Sequence, residues 1–244
     1  MAVNFEFLDT FDQKQVLIVD DDEFILGVLE KLLKLLGIEQ VLKASNGGEA
    51  REVLEKHAVD LLITDVQMPE LDGLSLLKLI RTGQTSAPIF LPSIVVTNLE
   101  DEDVLALALS LDVNGFVQKP FTTPMLIKRI LVALSESFQE PSGYPYEGVV
   151  IESSRLQLDD GGEVSLGSEA NQVIAAELGD NVTLVSLFQL KPDMQVAENI
   201  KTQNGTLLLP RGFKLNETRI HRMWEIRDNL EKRDFKIMTS WPQN

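Results

Sequence analysis

The fold class predicted by this sequence is α/β: a five-stranded, doubly wound parallel sheet followed by a small β-rich α+β domain. Three observations lead there. Short apolar runs alternate with longer amphipathic stretches five times between residues 15 and 138. Two of those runs, LLI at 61–63 and IVV at 94–96, lack polar alternation, as strands buried on both faces do. The texture then changes after QEPSGYPYEG (139–148), where Pro and Gly mark a boundary. Strand followed by helix, repeated, builds a parallel sheet covered by helices on both faces.

The elements follow in order. QVLIV (15–19) is a β-rich apolar run, and Phe24, Ile25, Val28, Leu29, Leu32, Leu33, Leu35 and Leu36 recur at helical spacing until Gly37. VLKAS (41–45) and GEAREVLEKH (48–57) form the second strand and helix, and DLLIT (60–64) and LSLLKLIRTG (74–83) the third. IVVT (94–97) precedes EDEDVLALALSLD (100–112), and GFVQ (115–118) precedes PMLIKRILVALSES (124–137). These elements place the first domain at 14–138, a linker at 139–147 and a second domain at 148–244. In the latter, Asp159-Asp160-Gly161-Gly162 and Asn204-Gly205 are hairpin signals, EANQVIAAEL (169–178) is a short helix and NVTLVSLFQL (181–190) is strand-like. NETRIHRMWEIRDNLEKRD (216–234) reads as a long helix capped by Asn216, with Trp224 a core anchor and His221 a partly exposed surface residue.

Composition narrows the function classes. There are 38 acids against 22 bases, a formal charge of −16, which opposes non-specific binding of nucleic acid. No cysteine is present, so disulfides, thiolate zinc and a Cys nucleophile are excluded. No apolar run reaches the roughly 20 residues needed to cross a bilayer, and the first residues carry acids where a secretory signal has a positive flank. The expectation is a cytoplasmic protein without a membrane partner.

In a doubly wound sheet the binding crevice lies outside the carboxyl ends of the strands. Asp20, Asp21 and Asp22 follow the first strand, Asp65 the third; Thr97 ends the fourth and Lys119 the fifth, so all fall at one edge. Each alone has a plainer reading: charges at a helix N-terminus, a turn former, a strand residue, a surface base. Together, clustered carboxylates repel unless a cation shares them, and oxygen ligands of this kind suit Mg²⁺. A carboxylate beside that metal can attack a phosphoryl donor, with the charge screened by metal and lysine.

VLIVDDD (16–22), DLLITDVQMPELDG (60–73), IVVT (94–97) and GFVQKPF (115–121) resemble, in order, the motifs of the receiver domain of two-component response regulators. That resemblance spans about residues 14–138 and implies a flavodoxin-like receiver. By it, Asp65 is the phospho-acceptor. Asp20, Asp21, Asp65 and the backbone carbonyl of Gln67 hold Mg²⁺, Asp21 directly and Asp20 through water. Lys119 pairs with the phosphoryl group ahead of a cis bond to Pro120. Thr97 moves to bond a phosphoryl oxygen, and Phe116 follows it. A sensor histidine kinase or phosphotransfer protein is the implied donor. The Thr97/Phe116 face is then expected to dimerise, or to bind or release the second domain, passing the signal to a downstream protein. Asn98 stands where a small residue is common; with Gln67 and Leu99 it is expected to tune dephosphorylation.

LKPDMQVAENIKTQNGTLLLPRGFKLNETRIHRMWEIR (190–227) resembles the accessory region of proteins built around HD-GYP-type cyclic-dinucleotide phosphodiesterases. The metal centre of such an enzyme needs several histidines, and this chain has His57 and His221 only. No nucleophile elbow, Walker loop or HExxH occurs either. The expectation is a non-enzymatic interaction module. A DNA-binding transcriptional regulator is the alternative, with Arg219, Arg222 and Arg227 on the last helix inside the locally basic stretch Arg211 to Lys236, and a cyclic-dinucleotide effector is third.

Overall fold

The computed structural model describes residues 11–98, 102–135, 182–203 and 207–238, with Tyr146, Val149, Ile151 and Gly205. The predicted turn at Asp159–Gly162, the helix at 169–178 and most of the linker lie outside the described residues. The described residues fall into two compact units. One holds 11–98 and 113–135 with Ile151; the other holds 102–112, 182–203 and 207–238 with Tyr146, Val149 and Gly205. The sequence boundary at 139–147 would keep the segment 102–112 with the sheet, whereas by contact it groups with the second unit.

In the first unit the strands are β1 (Gln15–Val19), β2 (Gln40–Ala44), β3 (Leu61–Thr64), β4 (Ser93–Thr97) and β5 (Gly115–Gln118), all parallel in the order β2-β1-β3-β4-β5. The helices are α1 (Glu23–Leu35), α2 (Gly47–Lys56), α3 (Gly73–Arg81) and α5 (Thr123–Ser135). Successive strand side chains point to opposite faces. Val16, Ile18, Leu61, Ile63, Ile94, Val96 and Val117 therefore share one face, buried with Leu29 and Leu33 of α1 and Leu126 and Ile130 of α5. On the other side, α2 packs on α3 and on β1 and β2.

Local chemistry starts and stops the helices, and the stop of α1 at Gly37 is the one the sequence predicts. Asp22 caps α1 by accepting from the Phe24 N–H (2.8 Å), Asn46 caps α2 from Glu49 (2.9 Å), and Asp72 caps α3 from Ser75 (2.8 Å). Gly37, with φ 83°, takes the left-handed turn that ends α1. Phe24, one of the apolar residues at helical spacing in α1, is 73% exposed, because it sits in the first turn at the open end of the sheet. Gly27 lies inside α1 with open space where a Cβ would stand. Gly27→Ala is expected to stabilise the protein by about 0.5–1 kcal/mol, read as a higher urea midpoint.

The second unit contains α4 (Glu102–Ser110), β6 (Val182–Ser186), β7 (Ile200–Lys201), β8 (Leu207–Leu209), α6 (Glu217–Glu225) and β9 (Asp234–Met238). β6 pairs antiparallel with β9, and β7 with β8 across Gly205, whose φ of 86° fits the predicted hairpin. Asn216 caps α6 as predicted, accepting from Arg219 at 2.7 Å. The helix is shorter than its periodicity predicts, ending at Glu225 rather than 234. Backbone pairing wins there: Gln203 donates to Asn229 (2.8 Å) and Glu231 to Lys201 (2.9 Å). DFKIM then alternates, with Phe235 and Ile237 buried, at the period of a strand. Arg219 and Arg222, which the DNA-binding alternative would place on an open basic face, are only 5% and 2% exposed. His221 is exposed, and Trp224, half-buried, packs edge-on against Phe188 at 4.4 Å. Among the described residues no helix is long and apolar enough to cross a membrane.

Candidate functional site

Sheet register sets the positions of the edge residues. The Asp20 N–H bonds the carbonyl of Ala44 (3.2 Å), that of Asp65 the carbonyl of Val19 (2.9 Å), and that of Lys119 the carbonyl of Thr97 (2.8 Å). Each residue is thus the next rung of the ladder beyond a strand end, and three side chains distant in sequence converge. Lys119 Nζ donates to Asp20 Oδ2 (2.7 Å) and to Asp65 Oδ2 (2.6 Å). One carboxylate oxygen from each of Asp20, Asp21 and Asp65 lies within 4.8 Å of the others.

The loop after β3 is held firmly. Asp65 Oδ1 accepts from the N–H groups of Val66 (2.5 Å) and Gln67 (3.3 Å), and the Thr64 hydroxyl donates to the Asp65 carbonyl (2.8 Å). The Gly73 N–H closes the loop onto the Val66 carbonyl at 3.0 Å. A Cβ at Gly73 would overlap the Asp65 carbonyl oxygen, so the glycine permits this close approach. Gly73→Ala is expected to shift the loop and cost about 1–3 kcal/mol, checked by denaturant unfolding. No sequence signal beyond the helix start marked Gly73 for this role.

The electrostatics are unbalanced. Asp20 and Asp65 are 1% and 5% exposed, and Asp21 is open to solvent. Three carboxylates against the one ammonium of Lys119 leave a net charge of −2. Burial raises the Asp20 carboxyl above its ordinary range, although Lys119 and the Asp22 N–H pull the other way. Burial alone would lower the Lys119 ammonium, but its bonds to Asp20 and Asp65 outweigh that and raise it. A hard dication fits this donor set: it would neutralise the excess charge with oxygen ligands and leave positions for a substrate oxygen. The group opens into a cavity of about 710 Å³ whose lining includes Gln67, Asn98, Phe24 and Phe121.

Asp20, Asp21, Asp65, Gln67, Asn98 and Lys119 are therefore brought together as the sequence predicts. Asp22 is the helix cap, the plainer reading in its case. Thr97 is buried at the end of β4, and Phe116 is half-buried on β5 opposite Val95 in register; neither is among the cavity's lining residues. The Lys119–Pro120 bond is cis, as the resemblance implied. Leu99 lies outside the described residues. Phe24 and Phe121, missed as site residues, were hidden among ordinary apolar positions.

A family model for the response regulator receiver domain matches residues 16–131. The chemotaxis protein CheY1 of Helicobacter pylori is 36% identical over 121 residues, which is 49% of this chain and 96% of that protein. The chain belongs to the response regulator receiver family. A further receiver relative, the chemotaxis protein CheY of Pseudomonas aeruginosa, is 34% identical over 116 residues, covering 48% of this chain and 92% of its own. The transcriptional regulatory protein GltR of the same organism is 36% identical over 121 residues, 50% of this chain and 49% of that one. The parallel sheet, the acidic edge and Lys119 thus lie in a receiver domain of the two-component type.

Proposed function

We propose that this protein is a response regulator that accepts a phosphoryl group on Asp65. The convergence of Asp20, Asp21 and Asp65 with Lys119, on three separate strand ends, is the observation that supports it. A carboxylate oxygen of Asp65 attacks the phosphorus of a phosphohistidine donor. The P–N bond breaks, the imidazole leaves with its electron pair, and an acyl phosphate forms. The N–H groups of Val66 and Gln67 orient the nucleophile. Lys119 can follow the charge from the carboxylate to the phosphoryl oxygens, and Asp20, Asp21, Asp65 and the Gln67 carbonyl would hold Mg²⁺. When bound, the metal supplies charge screening between the anionic nucleophile and the anionic phosphoryl group.

The donor in this reading is a sensor histidine kinase or phosphotransfer protein in the cytoplasm. Thr97 and Phe116 carry the change outward, to a second copy of the receiver or to the second unit. That unit acts through protein contacts and not through catalysis. Its resemblance to the accessory region of HD-GYP-type proteins agrees with such a role, and the burial of Arg219 and Arg222 takes away two of the bases a DNA-binding helix would offer.

Incubating the full chain with acetyl phosphate and Mg²⁺ tests the reading. One acid-stable, base-labile phosphoryl group per chain is expected by mass spectrometry, and no uptake would refute it.

A further inference from the structure

Thr64 closes β3, and side chains alternate along a strand. Leu61 and Ile63 belong to the apolar layer shared with α1 and α5, so Leu62 and Thr64 turn to the other face. There Thr64 is buried. A valine has the same shape and the same preference for a strand, so neither packing nor propensity accounts for the hydroxyl. A buried hydroxyl needs a partner, and this one donates to the carbonyl of the next residue, Asp65, at 2.8 Å.

That carbonyl belongs to the peptide joining Asp65 to Val66. A trans peptide is planar with its C=O and N–H on opposite sides, so holding one end aims the other. The carbonyl is confined by the Thr64 hydroxyl and by Gly73 of α3, where a Cβ would stand 1.8 Å from the carbonyl oxygen and 2.8 Å from Thr64 Oγ1. At the opposite end, the Val66 N–H donates to Asp65 Oδ1 at 2.5 Å. With Oδ1 held by the backbone, Oδ2 is the oxygen that meets Lys119 at 2.6 Å. The two carboxylate oxygens are thus distinguished by a peptide whose orientation Thr64 maintains.

We propose that Thr64 is a positioning residue for phosphoryl transfer to Asp65, acting through the Asp65–Val66 peptide. The inference rests on the reading of Asp65 given above. Thr64 is not among the residues that line the cavity, so it touches the reaction only through its neighbour. Its hydroxyl stops the peptide from turning, which keeps the Val66 N–H on Oδ1 and the carboxylate in one orientation. Attack on phosphorus needs the oxygen in line with the bond that breaks, and a misplacement of about 1 Å can cost about 100-fold in rate.

The test uses the full chain with acetyl phosphate and Mg²⁺. Thr64→Val keeps the shape and removes the hydroxyl; Thr64→Ser keeps the hydroxyl. The valine variant is expected to label roughly 10-fold more slowly at saturating Mg²⁺. Its half-saturating Mg²⁺ concentration should change little, because Asp20, Asp21 and Asp65 all remain. The serine variant should label at close to the wild-type rate. By NMR, the Val66 amide proton is expected downfield in the wild type and in Thr64→Ser, and moved upfield in Thr64→Val. A valine variant that labels at the wild-type rate, or a serine variant that slows as much as the valine one, would overturn the proposal. So would a Val66 amide without a downfield shift in the unaltered protein, whatever the variants do. Failure of the unaltered chain to take up phosphoryl would instead overturn the assignment of Asp65, and the Val66 amide would still show whether Thr64 holds the peptide.

Discussion

Asp65→Asn is expected to lose all acetyl-phosphate labelling while the protein stays folded. The amide is almost isosteric, so the donors from Val66 and Gln67 still meet an oxygen. It lacks the anionic oxygen that forms an acyl phosphate, and no rearrangement supplies one. The same change removes one of three mutually repelling carboxylates around Lys119. The thermal midpoint in metal-free buffer should therefore hold or rise, while Mg²⁺ affinity falls with the lost ligand. Labelling that persists at wild-type level in the variant would move the acceptor elsewhere.

Lys119→Met should have the largest effect on stability. The side chains of Lys119, Asp20 and Asp65 are 8%, 2% and 7% exposed, so solvent screens their pairing little. Removing the ammonium leaves two buried carboxylates without their cation, a loss of about 3–5 kcal/mol for a broken buried pair. Mg²⁺ should restore much of it, about 2.7 kcal/mol at a hundred times its dissociation constant. The sign with pH follows from Asp20. A carboxyl raised in the folded state binds more protons there than in the unfolded chain, so stability falls as pH rises through that value. The variant should be least stable at neutral pH without metal, and acidification into the carboxyl range should narrow the gap to wild type. Denaturant unfolding with and without Mg²⁺ reads all of this. A small loss that Mg²⁺ leaves unaltered would mean that these carboxylates do not share a dication.

Much of the receiver was legible from local pattern. Runs such as LLIT and SIVVT lack polar alternation, as strands buried on both faces do, and Gly37 marks the end of α1, whereas the caps Asn46 and Asp72 were not singled out in the sequence. The acidic edge was legible because parallel topology sends every strand end to one side, so Asp20, Asp65 and Lys119 need only follow their strands to meet. Gly73 was not legible, since its role depends on how closely α3 approaches the Asp65 carbonyl.

The second unit was less open to that kind of reading. Helical spacing through 216–234 was real, yet Phe235 and Ile237 are drawn into pairing with β6, and the helix stops at Glu225. Arg219 and Arg222 looked available to a DNA-binding helix because charge alone does not say which carboxylate or ring will approach.

The sequence by itself determined the receiver sheet, the end of α1 at Gly37 and the set Asp20, Asp21, Asp65 and Lys119, because each depends on neighbours within a few residues or on strand order. Only the tertiary structure decided that α4 is core to the second unit and that Asp112 meets Arg219 across 107 residues. Hydrophobicity says that such a helix must be buried; which surface buries it is settled by long-range packing and by a buried charge finding its partner.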